Sequence, residues 1–193
     1  MTPLGWADPG ASPHPAGPAC LICADTTLSP RERMRQQAQF ARADFAFLPL
    51  VPTSAATVEQ CRSWAEDQAS TLTNWLSKMR GLAQFTLAFT APAAAPSPDG
   101  WLRARAAQHQ HRTDNLTAVQ NAADALLAPL NAHDWRLRDT RGGPMMDALA
   151  PADQAPGHAI SALRRAGVAL TGWSLNLVGP LPAYGFAPES APN

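Results

Sequence analysis

The chain has 193 residues, 46% of them hydrophobic, with 15 basic and 15 acidic side chains, which is enough apolar material for a packed core and leaves no net charge. That balance gives no electrostatic ground for nucleic acid or an acidic lipid surface as a bulk partner. Three cysteines, Cys20, Cys23 and Cys61, make no disulfide framework and fit a reducing compartment.

Taken in chain order, residues 1–18 are rich in Pro, Gly and Ala and are expected to lack regular structure. Ala19 to Ala24 is a short apolar run that reads as a strand. Ser29-Pro30 opens a helix to about Arg42, serine suiting the N-cap and proline the first helical position. Its Arg31, Arg33, Arg35 and Arg42 read as a solvated face. Phe45 to Val51 is a second strand, kept short or marginal by Pro49. A long helix follows from Ser54 to Arg80, with Val58, Cys61, Ala65, Gln68, Leu72, Trp75 and Met79 on one face. Gly81 closes it, and Ala83, Phe85, Leu87 and Phe89 alternate with other residues in a third strand.

Residues 92–100 form a Pro/Ala/Ser linker and the clearest boundary. The expected second long helix, 99–130, has the seam Leu102, Ala106, His109, Thr113, Leu116, Val119, Ala123, Leu126 and Leu130, weak at its start and strong at its end. Trp135 to Arg138 and Met145 to Leu149 read as hairpin partners across the turn Arg141–Pro144. Ala155 to Arg165 reads as a short helix. A final strand carries Thr171, Trp173, Leu175 and Leu177 on one face and ends at Gly179-Pro180. The class is α+β, with an N-terminal domain over 19–91, a C-terminal domain of long helix and small antiparallel sheet over 101–187, and a tail at 188–193.

No catalytic constellation stands out. Cys20-x-x-Cys23 lacks a second ligand pair for zinc and sits in an apolar run, so both read as packed strand residues. His109 and His111 do not share a helix face, and His133 and His158 have no nucleophile motif beside them. Trp64, Trp75, Trp101, Trp135 and Trp173 read mainly as core. No signal peptide is recognisable. The uncharged run 166–188 is broken by Gly172, Gly179, Pro180 and Pro182, so it does not read as a membrane span. A cytoplasmic protein without metal, cofactor or enzymatic activity is expected.

The segment Leu177-Val-Gly-Pro-Leu-Pro-Ala-Tyr-Gly-Phe186 resembles the C-terminal signature of the gas vesicle protein family GvpF/GvpL. Gly179, Pro180, Pro182, Tyr184 and Phe186 match its Gly-Pro-Trp-Pro-Pro-Tyr-x-Phe pattern, with Leu181 and Ala183 departing from it. Leu48-Pro49-Leu50, then a long helix and a strand, is a second match, although Val51-Pro52-Thr53 stands where the family has Arg-Phe-Gly-Thr. Gly100-Trp-Leu-Arg at a helix start, followed by Met145–Pro151, is a third. The resemblance spans roughly residues 40–187. It implies a ferredoxin-like N-terminal half and a non-enzymatic accessory or minor structural role, associated with gas vesicles. The implied partners are the small hydrophobic shell protein and other gas vesicle accessory proteins, with neither nucleic acid nor lipid membrane. Phe45, Phe47, Val58 and Trp75 are the expected partner surface. A ligand-sensing module and a small enzyme are the alternative readings.

Overall fold

The computed structural model describes residues 1–8, 19–41, 46–93, 100–153, 161 and 170–192. It divides into two compact units: Met1–Gln84, Pro151–Asp153 and Pro180–Asn193 form unit 1, and Phe85–Ala150 with Gln154–Gly179 form unit 2. The division runs through strands rather than through 92–100. Pro180 onward, expected to finish the C-terminal domain, belongs to unit 1.

Unit 1 is built on a sheet whose central strand is β1, Thr2–Ala7, between β2, Cys20–Ala24, and β3, Phe47–Pro49. This corrects the expectation of irregular chain there: residues 2–7 are all buried. Residues 9–18 lie outside the described residues. Both pairings are antiparallel, with Trp6 opposite Leu21 on one side and Leu48 on the other. The β1–β2 register shifts between Pro3 and Gly5. Gly5 has φ +154°, and a Cβ there would stand 2.1 Å from the Leu48 carbonyl oxygen, so this close approach requires glycine.

One sheet face packs Leu4, Ala7 and Phe47 with Ile22, Ala24, Leu28 and Phe40. Helix α1, Pro30–Phe40, starts from a capping box in which Ser29 and Glu32 exchange hydrogen bonds. Its inward residues are polar. Gln37 is fully buried and donates through Nε2 to the carbonyls of Leu4 and Leu50, both at 2.7 Å. Arg33, expected on a solvated face, is buried and donates to the carbonyls of Val51 (3.3 Å) and Ser54 (2.7 Å). The Leu50, Val51 and Ser54 carbonyls follow the short β3, so side chains there stand in for a missing ladder.

The expected helix 54–80 is two helices. Helix α2, Val58–Asp67, begins at a Thr57/Gln60 capping box, and α3, Ala69–Met79, follows a break at Gln68 (φ −111°, ψ 24°). The expected seam still holds: Cys61, Leu72 and Trp75 are buried, and Val58, Ala65 and Met79 half-buried. Gly81, at φ +74°, ends α3 as its sequence position suggested.

The second sheet has the order β5-β6-β4-β7: β5 is Asp134–Thr140, β6 Gly143–Pro151, β4 Leu82–Thr90 and β7 Ser174–Leu181. Strand β4 pairs here and not with 19–24 and 45–51, so β1 supplies the third strand of the first sheet. Strands β5 and β6 form the expected antiparallel hairpin, Thr140 opposite Gly143. Fully buried Asp147 accepts from Thr86 Oγ1 at 2.7 Å and Arg138 Nε at 2.5 Å. Strand β7 keeps the expected parity, Leu177 in and Ser174 and Asn176 out, but runs on through Gly179-Pro180 to Leu181. Its place at the sheet margin explains the tolerance, because a marginal strand can lack one donor.

Helix α4, Trp101–Asn121, breaks at Ala122 before α5, Ala123–Leu127. The strong half of the seam is buried: Val119, Ala123, Leu126 and Leu130. The weak half is not, and Trp101 and Leu102 are 69% and 73% exposed. Trp101 is therefore not core, and Arg105 stacks over its ring at 5.5 Å. Arg112 pairs with Asp139 of β5. The helix expected at 155–165 lies outside the described residues, apart from Ser161, which is helical. Among the described residues no helix is long and apolar enough to cross a membrane. The mixed α+β class stands, with a three-stranded and a four-stranded sheet.

Candidate functional site

The C-terminal motif is a strap on unit 1. After Leu181 the chain makes a short helical turn, Tyr184–Phe186. The Tyr184 hydroxyl donates to Gln37 Oε1 at 2.7 Å, the Gly185 N–H donates to Gln84 Oε1 at 2.8 Å, and the Trp75 indole N–H donates to the Phe186 carbonyl at 2.7 Å. Pro182, Ala183 and Phe186 are buried. Burial pushes the Tyr184 phenol well above its ordinary range. Gln37 thus joins three chain segments through one amide: β1, the end of β3 and the strap.

Leu48, Pro49 and Leu50 are also buried in unit 1, so the second motif likewise serves packing. The crevice where strap and core meet, lined by Phe40, Phe47, Met79, Leu82, Leu181 and Pro182, encloses about 10 Å³, about one water at most.

The expected partner surface needs correction. Phe47 is 6% exposed and Trp75 8% exposed, so both are core. The alternation that marks a strand face and the seam that marks a helix face identify the buried side, and these residues lie on it. Phe45 lies outside the described residues. Val58 alone is half-buried at a rim.

Two other parts of unit 1 are accessible. Strand β2 stands at the sheet margin, uncharged and half-buried along its length. Helix α2 borders an open depression of about 620 Å³ lined by Thr57, Val58, Glu59, Arg62, Ser63 and Glu66. Together they offer an uncharged strand and an amphipathic rim, suited to backbone pairing and side-chain contact with another chain. Trp6, absent from the expected core, was the missed landmark: it is 1% exposed and meets Trp64 of α2 with ring centroids 4.7 Å apart. Among the described residues no group of three or more His, Cys, Asp or Glu side chains is arranged to hold a metal ion.

No protein-family model matches the sequence, and no curated protein matches it. Two crystal structures are similar to it. The gas vesicle protein GvpF of an Anabaena species has a TM-score of 0.59 and 10% identity, over 97% of this chain and 99% of that one. The gas vesicle protein GvpF of Microcystis aeruginosa has a TM-score of 0.60 and 14% identity, over 97% of this chain and 100% of that one. The chain therefore has a GvpF-like fold.

Proposed function

We propose that this protein is a non-enzymatic accessory or minor structural protein of gas vesicles, which binds the small hydrophobic shell protein during assembly in the cytoplasm. The observation that carries the reading is the end-to-end likeness to two GvpF structures. The motif residues support it by what they do: Tyr184, Phe186 and Leu48–Leu50 build unit 1 and leave its β2 margin and α2 rim for contact.

The docking step is an amphipathic shell segment laid along β2, with apolar side chains meeting the α2 rim near Val58. Backbone pairing supplies affinity and the rim supplies selection. Such docking shields apolar surface before the shell polymerises.

Co-expression with shell protein tests this directly. The soluble shell fraction should rise, and shell protein should co-purify with the chain. Val58→Glu on the rim should lower co-purification while circular dichroism stays native. A shell protein that neither becomes more soluble nor associates with the wild-type chain refutes the reading.

A further inference from the structure

The sequence draws the eye to Cys20-x-x-Cys23, yet the strand separates that pair. Cys20, Ile22 and Ala24 share one parity of β2, and Ile22 and Ala24 pack against Leu4, Ala7 and Phe47. Leu21 and Cys23 take the opposite face. Leu21 lies beside Trp6, and Trp6 meets Trp64, so that opposite face is the one under α2.

The third cysteine is on α2. Cys61 precedes Trp64 by three residues, shares its helix face and is 0% exposed. Direction along the sheet follows from the chain path. Segment 51–57 leaves the Leu50 end of β3, where Gln37 holds the Leu4 and Leu50 carbonyls and Arg33 holds those of Val51 and Ser54. Helix α2 thus starts at the Pro3–Cys23 end and reaches Trp6–Leu21 at Trp64, nearly two turns later. Stepping back from Trp64 to Cys61 is a rise of ~4.5 Å. Stepping from Leu21 to Cys23 is ~7 Å the same way. Helix α2 packs on both β1 and β2.

We infer that Cys23 and Cys61 are a disulfide-forming pair, closed by a small-molecule disulfide such as oxidised glutathione, which clips α2 to the marginal strand. The half-buried Cys23 thiolate attacks one glutathione sulfur, forming a mixed disulfide and releasing one glutathione thiolate. The Cys61 thiolate then attacks the Cys23 sulfur, forming the protein S–S bond and releasing the second. Two protein thiols lose their protons, cystine forms, and one oxidised glutathione becomes two reduced molecules.

The surroundings set the pace. Burial raises the Cys23 thiol; Arg62 and the N-terminal ammonium act against this, and Asp25 with it. Burial and then the Cys23 charge push Cys61 up to about 11, with Arg33 opposing. Both thiols are thus largely protonated near neutrality, and closure accelerates with pH.

The test is incubation of the folded full chain with oxidised glutathione at pH 7 and pH 9, followed by acid quench, alkylation, intact mass and peptide mapping. The expected product has lost two hydrogens, links Cys23 to Cys61 and carries an alkylated Cys20. Because a thiolate below its pKa gains about tenfold per pH unit, closure should be about 100-fold faster at pH 9. Cys20→Ser should close at the wild-type rate, Cys23→Ser should not close, and reductant should reopen the bond. A bond from Cys20 to either other cysteine, or arrest at glutathionylated Cys23 with circular dichroism still native, would overturn the inference.

Discussion

Gln37 accepts from Tyr184 while donating to two backbone carbonyls, so one uncharged side chain settles groups from three parts of the sequence. Gln37→Leu takes the amide away from the Leu50 carbonyl and the Tyr184 phenol and leaves the Leu4 carbonyl only the Leu50 N–H, and should cost about 2–4 kcal/mol by denaturant titration. Tyr184→Phe removes a single bond and should cost about 1–2 kcal/mol. The phenol also couples stability to pH. Its pKa is raised in the folded chain above the ordinary 10.0. The contribution is therefore full below pH 10 and is lost as pH rises, because the unfolded phenol ionises first. Tyr184→Phe should flatten the fall in stability above about pH 10. As Tyr184 is the only tyrosine, the tyrosinate absorbance of the native protein should stay low until well above that pH, and a midpoint near 10 would contradict the buried hydrogen bond. Tyr184 was legible in the sequence as an anchor. Gln37 was not, because a glutamine on a polar helix carries no sign of what its amide will meet.

At the level of elements, α4 separates two kinds of residue that share one seam. Leu126→Ala in α5 removes a fully packed side chain and should cost about 2–4 kcal/mol, whereas Trp101→Gln and Leu102→Gln should change the thermal midpoint little, since neither side chain is buried. Differential scanning calorimetry checks both. In the β5–β6 hairpin, Arg138→Ala removes the guanidinium Nε–H that the buried Asp147 carboxylate accepts, while the Thr86 hydroxyl bond stays. Allowing for the water around Arg138, the cost should be about 2–3 kcal/mol. The helix seams were legible where large aliphatics recurred and failed where Ala, His and Thr stood in for them. Strand β1 was illegible for a different reason: with every residue buried it shows no two-residue alternation, and its prolines resemble those of irregular chain. Pro180 misled by a related route, since proline ends an interior strand but not a marginal one.

For the whole molecule, the α+β class and the packing role of the terminal motif could be read from sequence, while the division into units could not. Composition marks 92–100 as a boundary, yet the chain leaves unit 1 inside β4 and returns to it inside β6 and β7. Strand membership depends on pairing partners far along the chain, which no local window contains. Truncation after Gly179 tests the strap's weight. It deprives Trp75 Nε1 and Gln37 Oε1 of their partners and removes Phe186 from its buried place. Unit 1 should lose about 4 kcal/mol or more and its native near-ultraviolet dichroism.

A unit assembled from both ends of its sequence also has a schedule. During synthesis β1, the first two helices and β3 leave the ribosome long before the segment that finishes their core, with all of unit 2 made in between. The early portion must remain unfinished and guarded until the codons from Pro180 onward are read. A ribosome stalled just short of Pro180 would then carry an open first unit that proteases cut readily, even though all of unit 2 had been made.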